Sequence, residues 1–312
     1  MKTSVLGLAL TALATPAFAH PVTVQSCDRE VTFEAPPQAA VSHDVNLTEM
    51  MLVLDLTDHM VGFTGINGWN KLDAEMRAGV GELPELAEKY PTKEVLLGAG
   101  ADFYFAGWNY GMRVGGEVTP DTLAPFDIQV YELSESCTHI MAKDAASMDD
   151  MYRDILNLGA IFGVPDRAEA LVAGYRAELD GILADLPPLA DAPRVFVYDS
   201  GEDTPFTAGR YAMPNALIEA AGGANIMSDF EKSWSTVGWE AVVARDPEVI
   251  VIVNYGDVTA EQKRAFMMEN PAFADISAVR NDRFVTLEYV EATPGPRNIG
   301  AVRTLAEAFR AE

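Results

Sequence analysis

Two cysteines, Cys27 and Cys137, and the His139 that follows the second are the residues of this 312-residue chain best equipped for covalent chemistry. In an oxidising compartment an even cysteine count points to one disulfide. It would close a loop of about 110 residues and contribute roughly 4–5 kcal/mol through chain entropy. The other reading keeps Cys137 as a thiol ligand or nucleophile beside His139. Asp199 with Ser200 is a second pair from which an enzyme could be assembled. Neither pair is accompanied by a G-x-S-x-G elbow, a phosphate-binding loop or a zincin motif, so a secreted α/β enzyme is the alternative expectation. A free-metal-ion binding protein is another. His43 could ligate a metal through a neutral imidazole, with Glu135 or His139 as partners, but no H-x-H or H-E-x-x-H cluster supports it.

A different chemistry is carried by a repeat. Glu94 opens EVLLGAGADFYFAG, and 146 residues later Glu240 opens EAVVARDPEVIVIV, without a gap. Each copy runs from the Glu through a short apolar helical turn and a break to an acid, Asp102 or Glu248, and then a β-run. Helix-turn-strand units are common, so chance is one reading. The other is two similarly built lobes, each carrying one carboxylate at a matched place, able to dock on a two-fold partner.

The elements that must position these residues follow an export signal. Lys2, the apolar run Val5 to Leu13 and the small-x-small site Ala17-Phe18-Ala19 read as a cleaved signal peptide, residues 1–19. The apolar run is too short to span a membrane. No lipidation-type cysteine follows the cleavage site, so a periplasmic, unlipidated product is expected. The formal charge of −25 becomes −26 once Lys2 is removed. Such an acidic chain excludes nucleic acid as a partner, because phosphate contacts need clustered Lys and Arg. Length and 49% apolar residues allow two cores.

Short strands alternate with helices on both sides of the chain, which predicts parallel sheets. Ala39 to Ser42, Val61 to Phe63, Phe103 to Ala106 and Val130 to Leu133 read as strands of a first lobe. Val195 to Tyr198, Val249 to Val253 and Phe284 to Leu287 read as strands of a second. Between them, Ser147 to Leu186 keeps helical spacing, broken once at Gly163 to Asp166. The expected fold is α/β, two Rossmann-like lobes with mainly parallel sheets joined by a long rigid helical connector. The boundaries are 20–145, 146–187 and 188–312.

With these pieces in order, the chain resembles the periplasmic solute-binding proteins of ABC importers for ferric siderophores, haem and cobalamin, the group whose lobes are joined by a long helix. The matching stretches are VTFEAPPQAAVSHDVNLTEMMLVLDLTDHMVGFT, KEVLLGAGADFYFAGW, LGAIFGVPDRAEAL, IEAAGGANIM, the second repeat and PGPRNIGAVRTLAEAF. They cover nearly the whole chain after the signal. The resemblance implies that Glu94 and Glu240 pair with arginines on a dimeric inner-membrane permease. It also implies that a monomer captures a small-molecule ligand, a metal chelate, corrinoid or haem, and delivers it unchanged. No resident cofactor is expected.

A cleft between such lobes is lined from the carboxyl ends of strands. His43, Trp108, Asn109, Tyr110, Asp199 and Tyr255 stand at such ends. Arg210 and Tyr211 lie in the loop beyond Asp199, Trp69 and Trp234 in other loops, and Tyr289 and Arg297 flank the last strand-helix turn. Cobalamin binders of the same family carry a cleft tryptophan at the place of Trp234. Flat aromatic surfaces with a few polar groups suit a large, rigid, conjugated ligand. The arginines offer bidentate contacts to an anionic group, and the tyrosines could ligate haem iron as tyrosinates.

Overall fold

The structure is a computed structural model that describes residues 20–69 and 74–311. The signal segment, residues 1–19, lies outside the described residues. The chain opens with an antiparallel hairpin, β1 (Val22–Ser26) and β2 (Arg29–Phe33). Then come β3 (Ala40–His43), α1 (Val45–Val53), β4 (Met60–Thr64), α2 (Ala74–Val80), β5 (Glu85–Ala87), α3 (Lys93–Gly98), β6 (Phe103–Trp108), the short β7 (Gly111–Met112), α4 (Pro120–Leu123) and β8 (Gln129–Glu132). The first sheet runs β5-β4-β3-β6-β8, all parallel, with β7 also pairing β6. Its central strands β3 and β6 are buried along their whole length, as parallel strands covered on both faces must be. Chain order reverses between β3 and β6, so the first lobe's topological switch lies at the carboxyl end of β3.

The connector is two helices, α5 (Met148–Ile161) and α6 (Pro165–Asp185). A capping box of Ser147 and Asp150 starts α5, and Met151, Ile155 and Leu158 bury one face of it. The chain turns at Phe162–Val164, and Pro165 opens α6 with a φ already suited to a helix. Twenty-one residues make α6 about 31 Å long. Near its start, the Arg167 guanidinium holds the Leu54 carbonyl at the end of α1. In its second half, Glu178 pairs at 2.9 Å with Arg303 of the last helix of the chain. This helix therefore bridges the two lobes.

The second lobe comprises β9 (Arg194–Tyr198), β10 (Phe206–Ala208), α7 (Met213–Ala220), β11 (Ala224–Asn225), β12 (Trp234–Thr236), α8 (Trp239–Arg245), β13 (Val249–Asn254), α9 (Ala260–Glu269), α10 (Ser277–Arg280), β14 (Phe284–Glu288), α11 (Tyr289–Ala292) and α12 (Asn298–Arg310). Its parallel sheet runs β11-β9-β13-β14, with the switch between β9 and β13. A β10–β12 ribbon stands beside it. One apolar cluster runs unbroken from Phe33 and Phe103 in the first lobe, through Ile155 and Val172 of the connector, to Val251 and Leu305 in the second. The lobes share a core and do not hang from a thin hinge.

The cysteines form the disulfide that their even count predicts, tying the β1–β2 turn at Cys27 to a 3-10 segment at Cys137. The repeat also has a structural content that its sequence left open. Asp102, at the foot of β6, accepts the backbone N–H groups of Gln38 and Ala39 just before β3, at 2.8 and 2.9 Å. Glu248, at the foot of β13, accepts the Arg194 N–H at the start of β9, at 2.9 Å. In both lobes the second acid fastens the feet of the two strands that flank the switch. Glu94 and Glu240 occupy the second position of α3 and α8, each after an extended N-cap residue, Thr92 or Gly238, and both are exposed.

Candidate functional site

Both switch points open into one cleft of about 380 Å3 between the lobes. From β3 come His43 and Asp44; after β5 comes Tyr90; after β6 come Asn109, Tyr110 and Arg113; Trp69 and His139 complete the first wall. The second wall is Asp199 after β9, Tyr255 after β13, Tyr289 after β14, and Phe206, Ser233 and Trp234 from the ribbon.

His43 is buried, and its Nδ1 lies 2.8 Å from the Thr64 hydroxyl. Gly65 and Gly111, both at positive φ, flank it so closely that a Cβ on either would meet the imidazole at 2.3 or 2.6 Å. The ring is thus clamped, and it packs 5.0 Å from the Tyr90 ring. Tyr90 donates to the Asn109 carbonyl at 2.6 Å, and the Arg113 guanidinium lies 4.9 Å from its ring centre. Burial raises the Tyr90 pKa, with Arg113 opposing.

Asp44 carries a backbone that only glycine adopts readily, φ 69° and ψ 161°; such a conformation costs about 1–3 kcal/mol. Its carboxylate accepts the Val45 N–H at 2.7 Å and the Tyr289 hydroxyl, from the other lobe, at 2.8 Å. Asp199 mirrors it, accepting the Tyr255 hydroxyl at 2.9 Å and the Ser200 hydroxyl at 2.7 Å. The Tyr255 and Tyr289 rings are 5.0 Å apart. The two walls therefore present two tyrosine–carboxylate pairs side by side. Burial, then the aspartates, push both tyrosines well above their ordinary pKa, so both are neutral phenols donating to carboxylates. Behind Tyr255 the buried Lys263 donates to the Val253 carbonyl at 2.6 Å and lies 5.1 Å from the Tyr255 ring. Phe206 and Trp234 stack at 6.0 Å, and the Lys89 ammonium lies 4.4 Å from the Trp69 ring.

Eight residues expected from the sequence meet here: His43, Trp69, Asn109, Tyr110, Asp199, Trp234, Tyr255 and Tyr289. Four do not. Trp108 shares the face of β6 occupied by Tyr104 and Ala106, and its indole N–H donates to the buried Glu132 at 2.9 Å. Strand alternation turns it into the lobe's second core, and the chain reaches the cleft only at Asn109. Arg210 donates to the Ser228 carbonyl at 2.8 Å and faces Glu231, so it ties two loops together. Tyr211 is half-buried and lies outside the cleft lining. Arg297 pairs with Glu49 at 2.7 Å across the lobe boundary.

Asp44, Tyr90, Arg113, Phe206 and Ser233 were missed. Asp44 is adjacent to His43 at a strand end, and the same rule extended by one residue finds it. Tyr90 follows a strand hidden in a stretch that reads as loop. Cys137 offers no thiol, because it is bonded to Cys27. Glu135 is fully buried and accepts the Met213 N–H at 3.1 Å, while His139 faces the Asn109 amide at 3.2 Å. Among the described residues no three His, Cys, Asp or Glu side chains converge as a metal set. Among those residues no helix is long and apolar enough to cross a membrane.

Comparison with known proteins places this cleft in context. A family profile described as periplasmic binding protein matches residues 119–290. The chain is 24% identical over 294 residues to an uncharacterised ABC-transporter substrate-binding lipoprotein of Bacillus subtilis, covering 93% of this chain and 85% of that protein. It is 28% identical over 179 residues to a cobalamin-binding protein of Halobacterium salinarum, a match covering 56% of this chain and 48% of that protein's length. The crystal structure of a periplasmic binding protein from Veillonella parvula superposes with a TM-score of 0.79 at 29% identity, covering 92% of this chain and 96% of that one.

Proposed function

Since this chain belongs to the periplasmic binding protein family, we propose that it is the capture component of an ABC importer for a ring-shaped metal chelate of corrinoid type. The observation that carries this reading is the aromatic lining of a single interlobe cleft by Trp69, Tyr90, Tyr110, Phe206, Trp234, Tyr255 and Tyr289. Flat rings bury a flat ligand with little loss of side-chain entropy. The polar groups among them, Asp44 and Asp199 with their tyrosine partners, are acceptors suited to the amide N–H groups at a corrin's edge. The cobalamin-binding name of the haloarchaeal relative agrees with this choice.

The ligand is bound and released unchanged. Residues 1–19 act as the export signal, and the product is a periplasmic, unlipidated monomer. Residues 20–145 and 188–312 form the lobes, with 146–187 as the brace between them. Glu94 and Glu240 dock on the two halves of a dimeric permease, where exposed charges fix orientation more than they add affinity.

The deciding experiment titrates the purified protein with cyanocobalamin, cobinamide, hemin and a ferric hydroxamate, reading tryptophan quenching and calorimetry. Micromolar or tighter binding of a corrinoid, weakened at least tenfold by Trp234→Ala, is the expected result; a tenfold loss corresponds to about 1.4 kcal/mol. Tight binding of hemin or the hydroxamate with none of either corrinoid would overturn the corrinoid assignment.

A further inference from the structure

We propose that Asp44 and Tyr289 form a latch across the cleft that sets the spacing of its aromatic walls before any ligand arrives. The inference begins with the backbone of Asp44. A helix N-cap residue ordinarily has an extended backbone, whereas Asp44 stands at φ 69° and ψ 161°. Capping α1 does not require this, and glycine would adopt it without strain. The conformation is held from three sides. The Asp44 N–H donates to the Thr64 carbonyl at 2.8 Å. The Asp44 carbonyl accepts from the Thr48 N–H at 3.1 Å and from the Thr48 hydroxyl at 2.7 Å. Its effect is to direct a carboxylate out of the β3–α1 corner to the Tyr289 hydroxyl of the opposite lobe, 2.8 Å away.

Two further contacts between the same elements lie behind it. The Asn46 amide donates to the Pro294 carbonyl at 2.8 Å, and Arg297 pairs with Glu49. Of these three links, the Asp44–Tyr289 bond is the one made by residues that line the cleft. Tyr289 in turn packs on Tyr255, so the bond fixes two rings of the second wall relative to the first. Asp44 is thus a positioning residue for binding. It narrows the range of lobe spacings the empty protein explores and lowers the cost of ordering the walls around a ligand.

The test needs no ligand and stands apart from the corrinoid assignment. Both native cysteines are consumed in the disulfide, so spin labels attach only to cysteines introduced at the exposed positions Asp121 and Glu269, one on each lobe. Double electron–electron resonance then reads the interlobe distance distribution. Tyr289→Phe is expected to give a distribution about twice as wide as that of the parent protein. Asp44→Gly should match it, because it removes the carboxylate while relieving the backbone, and the double variant should be no wider than either single one. Tyr255→Phe, which removes a cleft hydroxyl bonded within one lobe, should leave the width unchanged. An unchanged width in Tyr289→Phe, or equal broadening in Tyr255→Phe, would overturn the latch.

Discussion

Arg297 Nε lies 2.7 Å from Glu49 Oε1, joining the start of α12 to the middle of α1 across the lobe boundary. The Glu49 side chain is 9% exposed and that of Arg297 21%. A charge at this depth depends on its partner for the solvation it has lost.

Arg297→Ala should therefore lower stability by about 1–3 kcal/mol, since it removes a charge-assisted hydrogen bond from a nearly buried carboxylate. Urea unfolding should show an earlier midpoint with an unchanged slope. Ligand affinity should stay within a factor of about three, because the residue lies outside the cleft. A large affinity loss with unchanged stability would return Arg297 to the role its position in the sequence first implied.

Stability should also fall as the medium becomes alkaline. Burial raises the Glu135 carboxyl to about 8, and burial raises Asp154 to about 7. Both groups hold protons in the folded protein that the unfolded chain has already released. Between the ordinary carboxylate range and these raised values the folded state binds more protons, so stability declines with rising pH and levels off above about 8. The slope from Glu135 alone is roughly 1.4 kcal/mol per pH unit within that window. Glu135→Gln keeps an acceptor for the Met213 N–H and removes the titration. It should match the parent protein near pH 4 and exceed it at pH 8 in denaturant melts; a gain at pH 4 that vanishes at pH 8 would reverse the sign.

Charge reversal at Glu94 and Glu240 together should abolish uptake in cells while leaving ligand affinity unchanged. Each single reversal should cost less, because exposed ion pairs contribute about 0–1 kcal/mol apiece. Loss of ligand binding in the double variant would show that these positions act on the cleft and not on docking.

The α/β class, the parallel sheets and the helical connector were legible because strand-helix alternation and an uninterrupted helical period are local signals. The disulfide was legible because only two cysteines were present. The cleft lining was legible as far as the strand-end rule reaches, which is why that rule leads to His43, Asp199 and Tyr255. Trp108 fails by one residue of strand alternation, which sends its ring to the far side of β6. Arg210 and Arg297 fail because a guanidinium in a loop is claimed by whichever carbonyl or carboxylate the tertiary fold brings near, here Ser228 and Glu49. Tyr90 was invisible because β5 spans only three half-buried residues. No periodicity can announce so short a strand.

The apolar cluster that passes without interruption from one lobe to the other sets a limit on how cargo leaves. Separating the lobes widely would expose that cluster to water, at roughly 25 cal/mol for each Å2 uncovered. Spontaneous gaping is thus suppressed. On the reading of this chain as an importer's capture component, unloading would then be a mechanical event, in which the translocator prises at the rims of a body that resists bending.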